Sequence, residues 1–335
     1  MMMTSASNCD MICIYYKSSI AKNTNICTFP IDTKYQTNPI IYQEHAYRKQ
    51  IGELAMSKDE IRVAACQLLT SKDVVSSTDK VLQQIEQCAE QQIQIAAFPE
   101  GCLFGYCCDT KYWEQISPQV FKEAEAKIAE AARRHKIAVI LGSAHHDGDN
   151  WHNDLAIFDQ QGTLRYRYGK TFLAGEKWCT NNRGKLPIVR LADVDCCFII
   201  CHDVRYPELV KLPAAMGAQI CFFCSCESGL LSEYKLSAYR VMPISRATEN
   251  GIYLVMANTP ANPDDIKAPG SSHGNSKIIH PNGNVIKEAG FFGDEIVSAT
   301  IDISQANGEQ AKRTYNEDTI LREWFQKGTD FVEKV

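Results

Sequence analysis

Short apolar runs alternate with amphipathic segments along the chain from Glu60 onward. The runs are four to six residues long and are rich in Val, Ile, Phe and Cys. Runs of this length predict β-strands that are buried on both faces, as in a sheet covered by helices. They lie at residues 61–66, 93–98, 137–141, 155–158, 196–200, 220–224 and 252–256.

Amphipathic helices are predicted between several of these strands. Apolar residues at helical spacing form two stripes, Val81, Leu82, Ile85, Cys88 and Ala89, then Val120, Ala124, Ile128 and Ala132. A third helix, over 233–249, contains Pro243, which predicts a kink or a break. The turn residues 281–284 separate two apolar pairs and predict a β-hairpin. The pattern therefore predicts one α/β domain over residues 56–335, with some antiparallel strands.

Residues 1–55 differ from the rest of the chain. They show neither helical nor alternating periodicity and are rich in Asn, Thr, Ser, Tyr and Ile. Their apolar stretches are too short for a secretory signal, and Arg48 is their single arginine, whereas a transit peptide is Arg-rich. We expect a poorly ordered N-terminal extension.

Composition narrows the class of protein. The 335 residues are 45% hydrophobic and 22% charged with a net charge of −5, which is typical of a globular protein. A nucleic-acid partner is not expected because no basic stripe is present. A membrane is not expected either, because no apolar run reaches the ~18–20 residues of a membrane span. The 15 cysteines are odd in number and cluster in apolar runs, which favours reduced thiols and a cytoplasmic location.

Three residues with catalytic chemistry stand at predicted strand or loop ends. Glu100 follows the run 93–98, and Cys201 directly follows the run 196–200. In open α/β sheets the ligands bind at the carboxyl ends of the strands, where such side chains project. Lys170 lies in the segment 168–173, where an ammonium group can stabilise an oxyanion. Each of them taken alone is more typical of a solvated or core residue.

Other motifs match catalytic or metal-binding patterns only superficially. Residues 270–274 fit Gly-x-Ser-x-Gly around Ser272, but polar loop residues precede them where that motif needs a strand. Cys221 and Cys224 form a lone pair whose side chains would point to opposite faces of one strand. His145, His146 and His152 are interpreted as members of a polar surface loop.

The chain after residue 60 resembles the nitrilase (carbon–nitrogen hydrolase) superfamily. The resemblance runs from about Ile61 to Ile301 and rests on segments that occur in the family's order. These are Phe98-Pro99-Glu100 with Gly105-Tyr106, Gly169-Lys170-Thr171-Phe172-Leu173, Cys201-His202-Asp203-Val204-Arg205-Tyr206-Pro207-Glu208, Arg246-Ala247-Thr248-Glu249-Asn250 with Ala257-Asn258, and Gly274-Asn275-Ser276. The resemblance implies a four-layer αββα sandwich that usually forms dimers and needs no cofactor or metal ion.

The resemblance also assigns roles. It implies Cys201 as the nucleophile, Glu100 as the general base and Lys170 as the stabiliser of the tetrahedral intermediate, with Glu176 as a second glutamate near the lysine. The segment 224–229 departs from the Pro- or Trp-containing segment of many members, and His202 occupies a variable position. The residues expected to contact substrate are Tyr106, His202, Cys226 and Glu227.

The sequence thus predicts a cofactor-independent thiol hydrolase that cleaves the C–N bond of a small amide, N-carbamoyl compound or nitrile. An acyltransferase with the same three residues, a non-catalytic binding protein on this fold and a serine hydrolase centred on Ser272 are the alternatives. A homodimer is expected from the resemblance, and Leu209, Leu212 and Met216 form an apolar stripe that faces either a partner or the chain's own core.

Overall fold

The computed structural model describes residues 59–335, so the predicted extension, residues 1–55, lies outside the described residues. The first half contains strands β1 (Glu60–Gln67), β2 (Ile95–Ala97), β3 (Ala138–His146), β4 (Trp151–Phe158) and β5 (Leu164–Gly169). Its helices are α1 (Val74–Glu90), α2 (Thr110–Gln115) and α3 (Pro118–His135). The helices begin at short polar caps, since the side chains of Asp73, Asp109 and Ser117 accept backbone N–H groups of the first turn.

The second half contains the remaining strands and helices. The strands are β6 (Leu186–Leu191), β7 (Val194–Ile200), β8 (Ile220–Ser225), β9 (Tyr253–Asn258), β10 (Lys277–Ile279), β11 (Val285–Glu288), β12 (Glu295–Asp302) and β13 (Val332–Lys334). The helices are α4 (Glu208–Ala215), α5 (Glu233–Thr248), α6 (Glu309–Asn316) and α7 (Arg322–Thr329). A 3₁₀ turn, Cys201–Arg205, follows β7 and precedes α4.

The strands form two sheets. The first has the order β12-β1-β2-β3-β4-β5 and the second β11-β10-β9-β8-β7-β6-β13. Neighbours β1, β2 and β3 are parallel, as are β7, β8 and β9. Parallel strands require crossover connections, and α1, α3, α4 and α5 lie within these crossovers.

The core has three layers of apolar contacts, which define a four-layer αββα sandwich. One cluster joins the facing sides of the two sheets and contains Val63 and Ala65 of β1 with Phe198 and Phe222. A second packs the first sheet against α1 and α3, and a third packs the second sheet against α4. Adjacent residues of one strand enter different layers, as Phe198 and Ile199 do. Burial on both faces explains why these strands read as continuous apolar runs, and the predicted fold class is confirmed.

One local prediction was wrong and two open ones were narrowed. Helix α5 is continuous through Pro243, so of the predicted kink or break the break is absent. His145, His146 and His152 lie in the paired strands β3 and β4 instead of a loop, because the polar residues 147–150 alone form the turn. The stripe that could face a partner or the chain's own core is buried at Leu209 and Leu212, and Leu209 belongs to the core layer between the second sheet and α4.

The described cysteines are free thiols, and Cys108 is the exposed one among them. Cys221 and Cys224 enter different core layers, as their odd spacing predicted. Within residues 59–335, none of the helices has the length and apolar character that crossing a bilayer requires.

Candidate active site

The predicted catalytic residues follow strands that end at the same edge of the sandwich. Glu100 comes shortly after β2, and Lys170 follows β5. Strand β5 runs in the direction of β2 because two antiparallel steps separate it from β3. In the second sheet, Cys201 follows β7 and Cys226 follows the parallel strand β8. The two edges meet, since the backbone N–H of Cys226 donates to Glu100 Oε2 at 2.9 Å.

The Glu100 carboxylate is held by three donors. Oε1 accepts from Asn153 Nδ2 at 2.8 Å and from Lys170 Nζ at 2.7 Å, while Oε2 accepts from Cys226. The residue is 1% exposed. Burial of a charge is tolerated only where it is paired and hydrogen-bonded, so the three donors fix the position of the carboxylate.

A close approach of two backbones brings Glu100 to this position. Gly142 in β3 lies against the turn that carries Glu100, and a Cβ atom there would lie 1.9 Å from Pro99 O. The Gly142 carbonyl also accepts from Leu103 N and from Cys102 Sγ, on the far side of the same turn. The absence of a side chain at Gly142 therefore lets the first sheet pack directly against the turn that carries Glu100.

Lys170 is buried between two carboxylates. Its Nζ donates to Glu100 Oε1 at 2.7 Å and to Glu176 Oε1 at 2.5 Å, and the ammonium lies 5.7 Å from the centroid of the Tyr106 ring. Burial by itself lowers the pKa of a lysine, but here the Glu100 and Glu176 carboxylates outweigh it, and the pKa of Lys170 lies well above its usual value. Lys170 therefore stays an ammonium and can act as a fixed positive charge.

Glu176 is the second carboxylate on this lysine. Its Oε1 also accepts from Tyr106 Oη at 2.7 Å, and its Oε2 accepts from Ala174 N. Burial favours the neutral acid, but the Lys170 ammonium and these donors hold the pKa of Glu176 below its usual value. Tyr106 thereby connects the carboxylate–lysine pair to the wall of the adjacent cavity.

Cys201 stands at a strained turn at the end of β7. Its φ of 45° is left-handed, a region that residues other than glycine rarely adopt and that clusters at functional sites. Its Sγ lies 3.8 Å from the carbonyl oxygen of Cys226, the residue whose N–H binds Glu100. Burial, followed by the nearby Glu100 carboxylate, raises the pKa of Cys201 well above its usual value, while Lys170 opposes this. The resting group is a thiol that needs a base for attack.

Asp203 ties the cysteine turn to the lysine segment. Its buried carboxylate accepts from Ile200 N at 3.1 Å on one side, and from Phe172 N at 2.8 Å and Tyr168 Oη at 3.0 Å on the other. The Phe172 ring also stacks on Tyr206, with centroids 3.5 Å apart. The segments that carry Cys201 and Lys170 are therefore positioned against each other.

A cavity of about 510 Å³ opens in front of these groups. Cys201 and all four residues predicted to contact substrate, Tyr106, His202, Cys226 and Glu227, line it. Glu100 and Glu176 lie directly behind the lining, since Cys226 donates to Glu100 and Tyr106 to Glu176, and Lys170 donates to both carboxylates. Burial lowers the pKa of His202, so this ring is neutral near pH 7. The structure thus brings all eight predicted site residues together around one cavity.

Sequence analysis missed Asn153 and gave Asp203 no role. Asn153 lies in the polar stretch before an apolar run, and nothing in that pattern distinguishes a buried asparagine from a loop residue. Asp203 was visible within the cysteine segment, but its partners in the lysine segment, Phe172 and Tyr168, lie more than thirty residues away. Ser272 is fully buried and donates to Asn258 Oδ1 at 3.2 Å, so it is a core hydroxyl outside the cavity lining.

Comparison with known proteins agrees with this architecture. The model of the carbon-nitrogen hydrolase family matches residues 62–308. The chain belongs to this family. It is 26% identical over 255 residues to omega-amidase NIT2 of Homo sapiens, which covers 73% of this chain and 89% of that protein. It is 27% identical to 2-oxoglutaramate amidase of Bacillus subtilis, with 63% and 79% covered.

Solved structures, an amidase among them, share the fold of this carbon–nitrogen hydrolase. An amidase of the nitrilase superfamily from Nesterenkonia AN1 superposes with a TM-score of 0.67 at 22% identity, covering 76% of this chain and 95% of that one. The NitFhit protein of C. elegans superposes with a TM-score of 0.66 at 23% identity, covering 75% and 63%. The predicted family and the predicted class of enzyme are confirmed.

Proposed function

We propose that this carbon–nitrogen hydrolase cleaves a small non-peptide amide through a thioester on Cys201, without a cofactor. The observation that carries the proposal is the buried Lys170 ammonium, which bridges Glu100 and Glu176 at 2.7 and 2.5 Å behind a cavity that Cys201 lines. A thiol, a base and a fixed cation at one cavity are the groups that acyl transfer through cysteine requires.

In the first half of the reaction, Glu100 takes the proton of the Cys201 thiol and Sγ attacks the amide carbon. The carbonyl oxygen gains negative charge, which the Lys170 ammonium stabilises. Glu100, now a neutral acid, gives its proton to the amide nitrogen, so the C–N bond breaks and ammonia or an amine leaves. The acyl group remains on Sγ as a thioester.

In the second half, Glu100 takes a proton from a water molecule, and the resulting hydroxide attacks the thioester carbon. The C–S bond breaks, the acid leaves and the proton returns to the cysteine sulfur. Glu176 keeps Lys170 oriented and, like Tyr106, does not exchange protons in this scheme. An acyltransferase differs only in that an amine or alcohol takes the place of the water.

Two comparisons support this proposal. An amidase mutant from Nesterenkonia sp. AN1, similar in fold with a TM-score of 0.66, shows covalent addition of the acetamide moiety of fluoroacetamide at its active site cysteine. The relatives named above are amidases, which favours an amide over an N-carbamoyl compound or a nitrile as substrate.

The test is a panel of small amides, N-carbamoyl compounds and nitriles assayed for ammonia. We expect Cys201→Ala to abolish turnover of any substrate that the wild type hydrolyses, and intact mass to show an acyl adduct in the wild type only. The matched control is Cys197→Ala, a buried thiol on β7, the strand that precedes Cys201, whose side chain packs in the layer facing α4. Substantial activity in Cys201→Ala would overturn the mechanism. Formation of an amide with added amine, in place of the free acid, would identify the acyltransferase.

We also propose a cytoplasmic homodimer. Leu209 and Leu212 are buried within the chain and therefore give no support for a dimer contact. Tyr234 and Val241 on α5, in contrast, are 81% and 60% exposed. They are seven residues apart and share one face of the helix, where a partner subunit would cover them. Light scattering that gives a monomer of 37.6 kDa across micromolar concentrations would contradict the dimer.

A further inference from the structure

The wall of the cavity bears two positive charges that the proposed chemistry does not use. Lys235, in the first turn of α5, and Arg205, in the turn that begins at Cys201, both line the cavity. Within residues 59–335, neither side chain forms an ion pair with a carboxylate. Besides burial, both charges lower the pKa of His202 on the same wall, so they act on one space. Unpaired cations at a cavity favour an anionic ligand.

The hydroxyl group of Ser228 is a hydrogen-bond donor at this wall. Its Oγ accepts from Lys235 Nζ at 3.2 Å and from Tyr239 Oη at 2.9 Å. A hydroxyl oxygen has two lone pairs, and these two donors occupy both of them. None of the described residues accepts the remaining proton, and Ser228 lines the cavity. The O–H group is therefore available to an acceptor on a ligand, beside the Lys235 ammonium.

Buried neighbours fix Ser228 in this position. Tyr239 is 8% exposed, and its ring stacks on the His273 ring, with the centroids 5.3 Å apart. His273 is 3% exposed, and its Nδ1 donates to the carbonyl oxygen of Ser228 at 3.1 Å, because a carbonyl only accepts. Separate contacts thus hold the backbone and the side chain of Ser228. A donor that is already in place loses little freedom when a ligand binds, which increases its contribution to selectivity.

Glu227, the residue before Ser228, does not neutralise the two cations. Burial raises the pKa of its carboxyl group well above the usual value, so the group is a neutral acid near pH 7. Since Nδ1 of His273 bears the proton, Nε2 bears a lone pair, and Glu227 Oε2 lies 3.5 Å from it. The neutral acid therefore faces an acceptor within the wall and adds no negative charge to the cavity.

We propose that Lys235 and Ser228 select amides whose acyl chain ends in a carboxylate, which they bind while the amide carbon lies at Cys201 Sγ. This inference rests on the proposed function and names its substrate class. Lys235 Nζ has two further protons, and one of them and the Ser228 O–H donate to the carboxylate oxygens. Arg205 adds positive charge, but no contact of its side chain with a described residue holds it in place. Ser228 lies in the segment 224–229, which departs from the pattern of many family members.

The test uses malonamate, succinamate, glutaramate and adipamate, monoamides that differ by one methylene each. Every one is compared with two amides of similar length, of which one ends in a methyl ketone and one in an ammonium group. In at least one set, we expect kcat/KM for ammonia release to be highest for the carboxylate and lowest for the ammonium compound. Added salt should reduce this preference, because the Lys235 charge is half-buried and therefore partly screened.

Variants of the two residues assign the preference. We expect Lys235→Gln to reduce the ratio of kcat/KM for the carboxylate to that for the ketone by about 10- to 100-fold, the range for a hydrogen bond to a charged group. The kcat/KM of the ketone itself should change little, which separates lost selection from a distorted cavity. Ser228→Ala should reduce the ratio by about 10-fold, and Lys235→Arg should retain most of it because the charge remains. The matched control is Arg240→Gln, an exposed cation on α5 outside the cavity lining, which should leave the ratio unchanged.

Binding is measured separately by calorimetry in the Cys201→Ala background, where the amides are not turned over. The amide acid that the wild type prefers should bind more tightly than the matching ketone. Adding Lys235→Gln should weaken the binding of the acid by about 10- to 100-fold and leave that of the ketone unchanged.

The outcomes separate this inference from the proposed function. If amides are hydrolysed in a Cys201-dependent reaction but no carboxylate is preferred, or the ratio is unchanged in Lys235→Gln, the inference is wrong and the hydrolase remains. A preference that Arg205→Gln abolishes and Lys235→Gln leaves intact would also overturn the assignment to Lys235 and Ser228. If no amide releases ammonia, the proposed function fails, and the inference fails with it.

Discussion

Replacing Gly142 by alanine should displace Glu100, the proposed general base, while leaving the Glu100 side chain itself unchanged. A Cβ atom at this position would lie 1.9 Å from Pro99 O and 2.7 Å from Gly101 N, whereas real Cβ contacts stay beyond 3.0 Å. The turn that carries Glu100 must therefore retreat by more than 1 Å. A misplacement of about 1 Å at a catalytic group costs about 100-fold in rate, and overpacking of a core costs about 1–3 kcal/mol of unfolding free energy.

We expect Gly142→Ala to lower kcat by about 100-fold and the melting temperature by several degrees. Ammonia release at saturating substrate gives the first quantity, and thermal unfolding followed by circular dichroism gives the second. The control is Gly290→Ala, since a Cβ atom there meets nothing within 4 Å. Gly142→Ala with the kcat and melting temperature of the wild type would refute the argument that this backbone contact positions Glu100.

Three further predictions concern other parts of the chain. Asn153→Ala removes the donor at 2.8 Å from Glu100 Oε1 and should lower kcat about 10-fold. The control Asn150→Ala, in the exposed turn, should leave kcat unchanged, and equal kcat values for the two variants would contradict the prediction. Ser272→Ala should retain most of the activity, whereas alkylation of the thiols should abolish it. Loss of activity in Ser272→Ala together with activity that survives alkylation would instead support a serine hydrolase. A chain that starts at Met56 should keep its melting temperature and activity, because residues 1–55 lack a periodic apolar face; a large loss of either would show that the extension packs on the domain.

The sequence alone determined the interior of the fold. Strands such as β7 and β8 are buried on both faces, so their apolar runs are continuous and easily recognised. Several other strands gave no such signal. Every residue of β11 is exposed and only the hairpin turn predicted it, while β5, β6, β12 and β13 were not predicted. Strand β12 is defined by its antiparallel pairing with β1, more than two hundred residues away along the chain.

The sequence also determined which residue types stand at strand ends, because short motifs around Glu100, Lys170 and Cys201 are local features. Only the tertiary structure decided how they interact. The bond from Lys170 to Glu100 spans 70 residues and that from Cys226 to Glu100 spans 126. Hydrogen bonds and pKa values depend on which distant elements exclude water from a group.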